Sequence, residues 1–96
     1  MAKNFKISVQ RNNDTLGIEL IGDFDGTSAC ELLNVLQDNC RDHVRVVVNT
    51  TGVKEVYPFG VDTFNNNLYL LKNRRIRLEF TGNRSSTIAQ ERNTLF

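Results

Sequence analysis

Val44-Arg45-Val46-Val47-Val48-Asn49, followed closely by Gly52-Val53-Lys54-Glu55-Val56-Tyr57-Pro58-Phe59-Gly60-Val61, is the stretch that decides the fold. Its first part is an apolar run broken only by Arg45, the pattern of a central strand covered on at least one face. Asn49-Thr50-Thr51-Gly52 is expected to end that strand. Pro58 suits the first turn of a helix, because its missing N–H would have no partner there. The helix is expected to run from Pro58 to Asn73, with Val61, Phe64, Leu68 and Leu71 as its buried stripe. Asp62, Asn65, Asn66 and Lys72 would face water.

On the N-terminal side, Phe5, Ile7 and Val9 alternate with Lys6, Ser8 and Gln10, a strand with one buried and one solvated face. Asn12-Asn13-Asp14 reads as a turn, because short polar side chains tolerate left-handed backbone. A second strand from Thr15 to Ile21 places Leu16, Ile18 and Leu20 on one face. Gly22-Asp23-Phe24-Asp25-Gly26-Thr27 breaks the pattern, and Ser28 with Glu31 reads as a capping box that opens a helix. That helix carries Ala29, Leu32, Leu33, Leu36 and Cys40 at three- and four-residue spacing, with Glu31, Asn34 and Asp38 opposite.

On the C-terminal side, Arg75-Ile76-Arg77-Leu78-Glu79-Phe80 alternates cleanly and is read as a strand. Arg75 and Arg77 share one of its faces, the reading being a solvated sheet surface or a patch for phosphate or an acidic partner. A short helix from Ser86 to Arg92 follows the Gly82-Asn83 turn. The order is ββαβαβα. It implies an α/β domain of the α+β-like kind, a mixed four-stranded sheet with helices mainly on one face. The last long strand is left as a potential exposed edge for pairing with a second copy.

Length and composition set limits. At 96 residues, residues 1–96 are read as one small domain with one core. A net charge of +1 gives little support to nucleic-acid binding or broad membrane binding. No apolar run approaches a bilayer span, and Met1-Ala2-Lys3-Asn4-Phe5 lacks a secretory apolar core. A cytoplasmic protein is expected. Cys30 and Cys40 fall on or beside the stripe of one helix, separated by about 15 Å at ~1.5 Å rise per residue. That exceeds the ~7 Å a disulfide tolerates, so both are read as reduced structural thiols. His43 is the sole histidine, and no metal cluster or activated nucleophile converges on it. A non-catalytic protein without a cofactor is the expectation.

Laid over the whole chain, these features resemble the STAS domain, named for sulphate transporters and anti-sigma-factor antagonists. Three matches carry the resemblance. Gly22-Asp23-Phe24-Asp25 looks like the turn before the family's first helix, and Val46-Val47-Val48-Asn49 looks like the strand that usually ends in Asp. Gly52, Val53, Val56 and Gly60 sit at the spacing of the family's switch loop. In many members that loop reads Asp-Ser-Ser-Gly, and its first serine is a regulatory phosphorylation site. Here the same places read Tyr57-Pro58-Phe59-Gly60, and Pro58 stands at the phosphoacceptor as a degenerate position without a hydroxyl. A phosphate there in relatives adds about −1.5 to −2 charges at a helix start.

The resemblance implies a bacterial protein-interaction module in signalling and transcription regulation. It would dock an anti-sigma factor or switch kinase through Asp23, Asp25, Thr27, Tyr57, Pro58, Phe59, Gly60 and Thr63. The alternative is an accessory subunit that binds the ATPase of a lipid-transport ABC complex, a role independent of the serine. Nucleotide binding, proposed within the family, finds no GxxxxGK[ST] loop here. Phe59 has two readings, tucked beside Val56 or Val61, or exposed with Tyr57 as an apolar hot spot. Asp23 and Asp25 are read as helix-start residues that also border the docking surface. Thr50, Thr51, Tyr57 and Thr63 remain as nearby hydroxyls, read as solvated or capping groups.

Overall fold

A computed structural model describes residues 5–39, 45–68, 77–88 and 94–95. In chain order the elements are β1 (Lys6–Asn12), β2 (Thr15–Phe24), α1 (Gly26–Asn39), β3 (Arg45–Val56), α2 (Pro58–Asn66), β4 (Arg77–Thr81), α3 (Ser85–Ile88) and β5 (Thr94–Leu95). The strands form one mixed sheet in the order β1-β2-β3-β4-β5. β1 and β2 are an antiparallel hairpin, and β2, β3 and β4 run parallel. Asn13 adopts φ 55° at the hairpin tip, the left-handed conformation that its short polar side chain tolerates.

One face of the sheet carries the core. Leu16, Ile18, Leu20 and Phe24 of β2, Val46, Val48 and Val53 of β3, and Leu78 of β4 are buried there. Against them pack Ala29, Leu32, Leu33 and Leu36 of α1, Phe64 of α2 and Ile88 of α3. Phe5, Phe24, Phe64 and Phe80 meet edge to face in sequence, with ring centroids 6.3, 6.3 and 5.7 Å apart. Such pairs add roughly 0.5–1.5 kcal/mol each beyond their buried area. The other face is open and polar. Ser8, Glu19, Asn49 and Thr81 lie across it in one paired row, and Arg45 holds Glu79 by two bonds of 2.8 and 3.0 Å.

Several boundaries differ from the sequence expectation, each for a physical reason. β2 continues to Phe24 and β3 to Val56, where both were expected to end earlier. Gly22, at φ 99°, accommodates irregular pairing, with register shifts between Glu19 and Ile21 and between Gly22 and Phe24. The ladder then resumes through Ile21↔Gly52, Gly22↔Val53 and Phe24↔Val56. The glycines read as strand breakers are therefore paired residues inside the ladder, and the extra residues that shift the register lie beside them in β3, at Thr50-Thr51 and at Lys54-Glu55. Thr50 is fully buried instead of solvated, donating to the Thr81 carbonyl at 2.7 Å and accepting from the Arg84 N–H at 3.1 Å. Asn65 is half-buried instead of facing water, its amide donating to the carbonyls of Val61 and Ile88.

A fifth strand, absent from the sequence reading, pairs Leu95 with Arg77 and Thr94 with Leu78. It covers that end of β4, which was expected to be a free edge. Arg77 is exposed on the open face, as the solvated reading has it. α2 ends at Asn66, short of the expected Asn73, because Asn67 leaves helical geometry at φ −108° and ψ 6° and its N–H closes a tight turn on the Phe64 carbonyl at 3.2 Å. Cys40, His43, Val44, Leu71, Lys72, Arg74 and Arg75 lie outside the described residues, as does the expected end of the last helix at Arg92.

Candidate docking site

Two loops leave the sheet side by side because β2 and β3 are parallel and end together. The Tyr57 N–H donates to the Phe24 carbonyl at 2.9 Å, tying the last residues of both strands. Each loop starts a helix at once, so the N-termini of α1 and α2 are neighbours.

Asp25 caps α1. Its Oδ1 accepts the Ser28 N–H at 2.9 Å, and its carbonyl accepts the Ala29 N–H at 2.9 Å. The capping box expected from Ser28 and Glu31 is thus displaced by three residues. Ser28 is the buried third residue of the helix, its hydroxyl within reach of the Asp23 carbonyl at 2.7 Å and Asp25 Oδ1 at 3.0 Å. The Ser28 N–H, and more weakly the Ser28 hydroxyl, hold the Asp25 carboxyl below the usual carboxylate range against the opposing effect of partial burial. α2 starts differently. Tyr57 is its N-cap in extended conformation, without a side-chain cap bond, and its carbonyl accepts the Gly60 and Val61 N–H groups. Pro58 occupies the first turn, as expected.

Two glycines set how closely the helix ends approach. A Cβ on Gly60 would stand 2.7 Å from the Asp25 carbonyl carbon and oxygen, so α2 rests on the α1 cap. A Cβ on Gly26 would stand 2.7 Å from two ring carbons of Phe59. The Phe59 ring therefore lies against the bare backbone that opens α1, and 74% of the residue stays exposed. Tyr57 beside it is 47% exposed. Of the two readings of Phe59, the surface one is the conformation present. Asp25, Gly26, Thr27, Cys30, Phe59 and Thr63 line a shallow groove of about 460 Å³ between the helices.

Of the residues expected at the docking surface, Asp25, Thr27, Phe59 and Thr63 meet in this groove, and Tyr57 and Pro58 are exposed beside it. Asp23 is half-buried at the end of β2, and Gly60 is buried and supports the surface from below. Sequence reasoning missed three contributors. Gly26 and the exposed thiol of Cys30 belong to the groove wall. Asp25 followed by Ser28 at capping distance is the signal that would have placed Gly26 at the helix start. Arg84 is the third. β4 pairs with β3 only as far as Asn49↔Thr81, and beyond that point Arg84 Nη2 donates to the Lys54 carbonyl at 2.7 Å. The guanidinium braces the strand end that leads to Tyr57, a contact across 30 residues that no local pattern announces.

No protein-family model and no curated protein matches the sequence. Solved structures do match. A chain of Mglu aligns with TM-score 0.66 and 23% identity over 79% of this chain, which spans 19% of that longer one. An uncharacterised DUF3478-family protein with a SpoIIAA-like fold, from Shewanella loihica PV-4, aligns with TM-score 0.53 and 11% identity over 94% of this chain and 77% of its own. The anti-sigma-factor antagonist SpoIIAA, in its unphosphorylated form, aligns with TM-score 0.52 and 15% identity over 90% of this chain and 81% of its own. The fold is SpoIIAA-like, the STAS-like architecture expected from the sequence. Among the described residues no helix is long and apolar enough to cross a membrane.

Proposed function

We propose that this chain is a non-catalytic docking module of the anti-sigma-factor antagonist kind, acting in the cytoplasm through the paired helix starts of α1 and α2. The observation that carries the reading is Phe59, 74% exposed yet seated on Gly26. A large ring left in water is hydrophobic surface without a partner inside the molecule. Its ring rests against the bare backbone of Gly26, a contact that reduces the side-chain entropy left to lose on binding. Tyr57 enlarges the patch, and Asp23, Asp25, Thr27, Pro58 and Thr63 border it.

In this reading Tyr57-Pro58-Phe59-Gly60 stands where STAS relatives carry Asp-Ser-Ser-Gly. Pro58 has no hydroxyl, so a permanent aromatic contact replaces a phosphate-controlled one. The partner is an anti-sigma factor or switch kinase, and binding is insensitive to serine kinases. A tagged pull-down from the native host, with Tyr57→Ala and Phe59→Ala as control, tests it. Recovery of an ATPase-type anti-sigma factor, lost in the control, is the expected result. Recovery of a transporter ATPase would instead move the chain to a lipid-transport assembly. A protein partner retained undiminished by the folded double variant would sink the docking surface itself.

A further inference from the structure

Among the described residues the charges are largely sorted by surface. Within α1 the only charged side chains are Glu31 and Asp38, and within the described α2 the only one is Asp62. The strand ends and the loop that lead into the helices add Asp23 of β2, Glu55 of β3 and Asp25, of which Asp25 is engaged in the α1 cap. Of the described cations, Lys54 and Arg84 stand at this end too, at the tail of β3, and the others lie elsewhere. Lys6, Arg45 and Arg77 share the open sheet face, with Arg45 paired to Glu79. Arg11 reaches the Asn39 carbonyl at the opposite end of α1, at 2.7 Å. Lys54 is followed directly by Glu55, and Arg84 is bound to the Lys54 carbonyl.

Helical spacing brings the acids to the groove. Glu31 lies four residues after Thr27 and next to Cys30, and Asp62 lies three residues after Phe59, so each stands on the flank of its helix that borders the lining residues. Both are exposed, and neither ion-pairs with a described cation. The groove thus offers an aromatic floor at Phe59 between two acidic flanks.

We infer that the occupant of this groove is a cationic, amphipathic protein segment, an apolar anchor resting on Phe59 with lysine or arginine side chains reaching Glu31 and Asp62. The assignment deepens the docking reading and rests on it. Rim charges of this sort govern encounter rate and partner choice more than they add raw affinity, and they act over a Debye length of about 8 Å at physiological salt. An arginine in the segment would also gain by stacking its guanidinium on the exposed ring.

The test uses the whole chain and two helical peptides of identical leucine face, one carrying lysines and arginines around it and the other glutamates. Amide shifts and affinities are measured for the unaltered protein, for Glu31→Lys with Asp62→Lys, and for Phe59→Ala, after each variant is shown to retain its native amide spectrum. The cationic peptide is expected to shift Thr27, Cys30, Glu31, Phe59 and Thr63 and to bind at least about tenfold more tightly than the acidic one. High salt should erase that preference, and the charge-reversed variant should invert it. Equal binding of both peptides, binding by neither, or shifts confined to the sheet face would overturn the assignment. Equal binding of both that is lost in Phe59→Ala would overturn the charge preference alone and leave the docking site standing.

Discussion

Among the described residues, two surfaces, the open sheet face and the α1–α2 end, are built on opposite principles. The open sheet face is polar and compensated, a row of Ser8, Glu19, Asn49 and Thr81 beside the Arg45–Glu79 pair. Its polar groups meet water or one another, although Ile21, 38% exposed, shares this face. The α1–α2 end exposes Phe59 and Tyr57 among acids and holds the Phe59 ring in place with a glycine. The same helix makes the contrast sharper. Phe64, one turn and a residue beyond Phe59, is fully buried between Phe24 and Phe80. One phenylalanine completes the core, and the other lies outside it, its ring against the backbone of Gly26. The contrast teaches that an exposed ring seated on bare backbone is the feature from which the docking proposal is drawn, while a face of paired and solvated polar groups supports none.

Substitutions along α2 can break this contrast, and the largest effect belongs to the buried ring. Phe64→Ala should cost about 3–5 kcal/mol in chemical denaturation, because it empties the centre of the aromatic chain. Gly60→Ala comes next. Its methyl would press on the Asp25 backbone, which cannot yield as a flexible side chain would, and a loss of roughly 1–3 kcal/mol is expected. Phe59→Ala should leave the unfolding midpoint within about 0.5 kcal/mol of the parent, while weakening partner binding by about 2 kcal/mol, or roughly 30-fold. If it destabilised the fold as Phe64→Ala does, the distinction between the two rings would collapse.

Asp25→Ala sharpens the comparison through pH. Loss of the cap should cost about 1 kcal/mol at neutral pH. The folded carboxyl titrates below its unfolded value, near 3.9, so its stabilisation is complete above about pH 4 and is lost as pH falls through the depressed folded value. The gap between parent and variant should therefore close in acid. A gap that stayed constant to the lowest folded pH would show that the Ser28 bonds do not favour the ionised form. The smallest effect is expected on the sheet face. Arg45→Ala should barely move the midpoint and should not do so in high salt, because the exposed pair with Glu79 is screened there.

Much of this was legible in the sequence, for identifiable reasons. The alternation of β4, the apolar run of β3 and the stripe of α1 report periodicity against a single core, which local pattern encodes directly. By contrast, β1 lies at the sheet edge, where Ile7 is half-buried and Val9, expected on the buried face, is 39% exposed. Pro58 announced the start of α2. β2 and β3 run past the ends expected of them because Gly22 and Gly52 stay paired beside irregularities in the ladder, and a glycine next to a bulge looks locally like one that ends a strand. The groove was half legible. Its loop residues follow from the resemblance, but the seating of Phe59 on Gly26 and the brace from Arg84 to Lys54 are contacts between distant segments. The second helix start had to be in place before the orientation of Phe59 had an answer.

The account is tested most directly by measuring, on the partner recovered from the native host, the affinity of the parent and of Phe59→Ala alongside the thermal unfolding of each free chain. A loss of at least about tenfold in affinity with an unchanged unfolding temperature is the result expected of a surface anchor. Unchanged affinity in a variant that unfolds like the parent would show that the exposed ring is not the docking element.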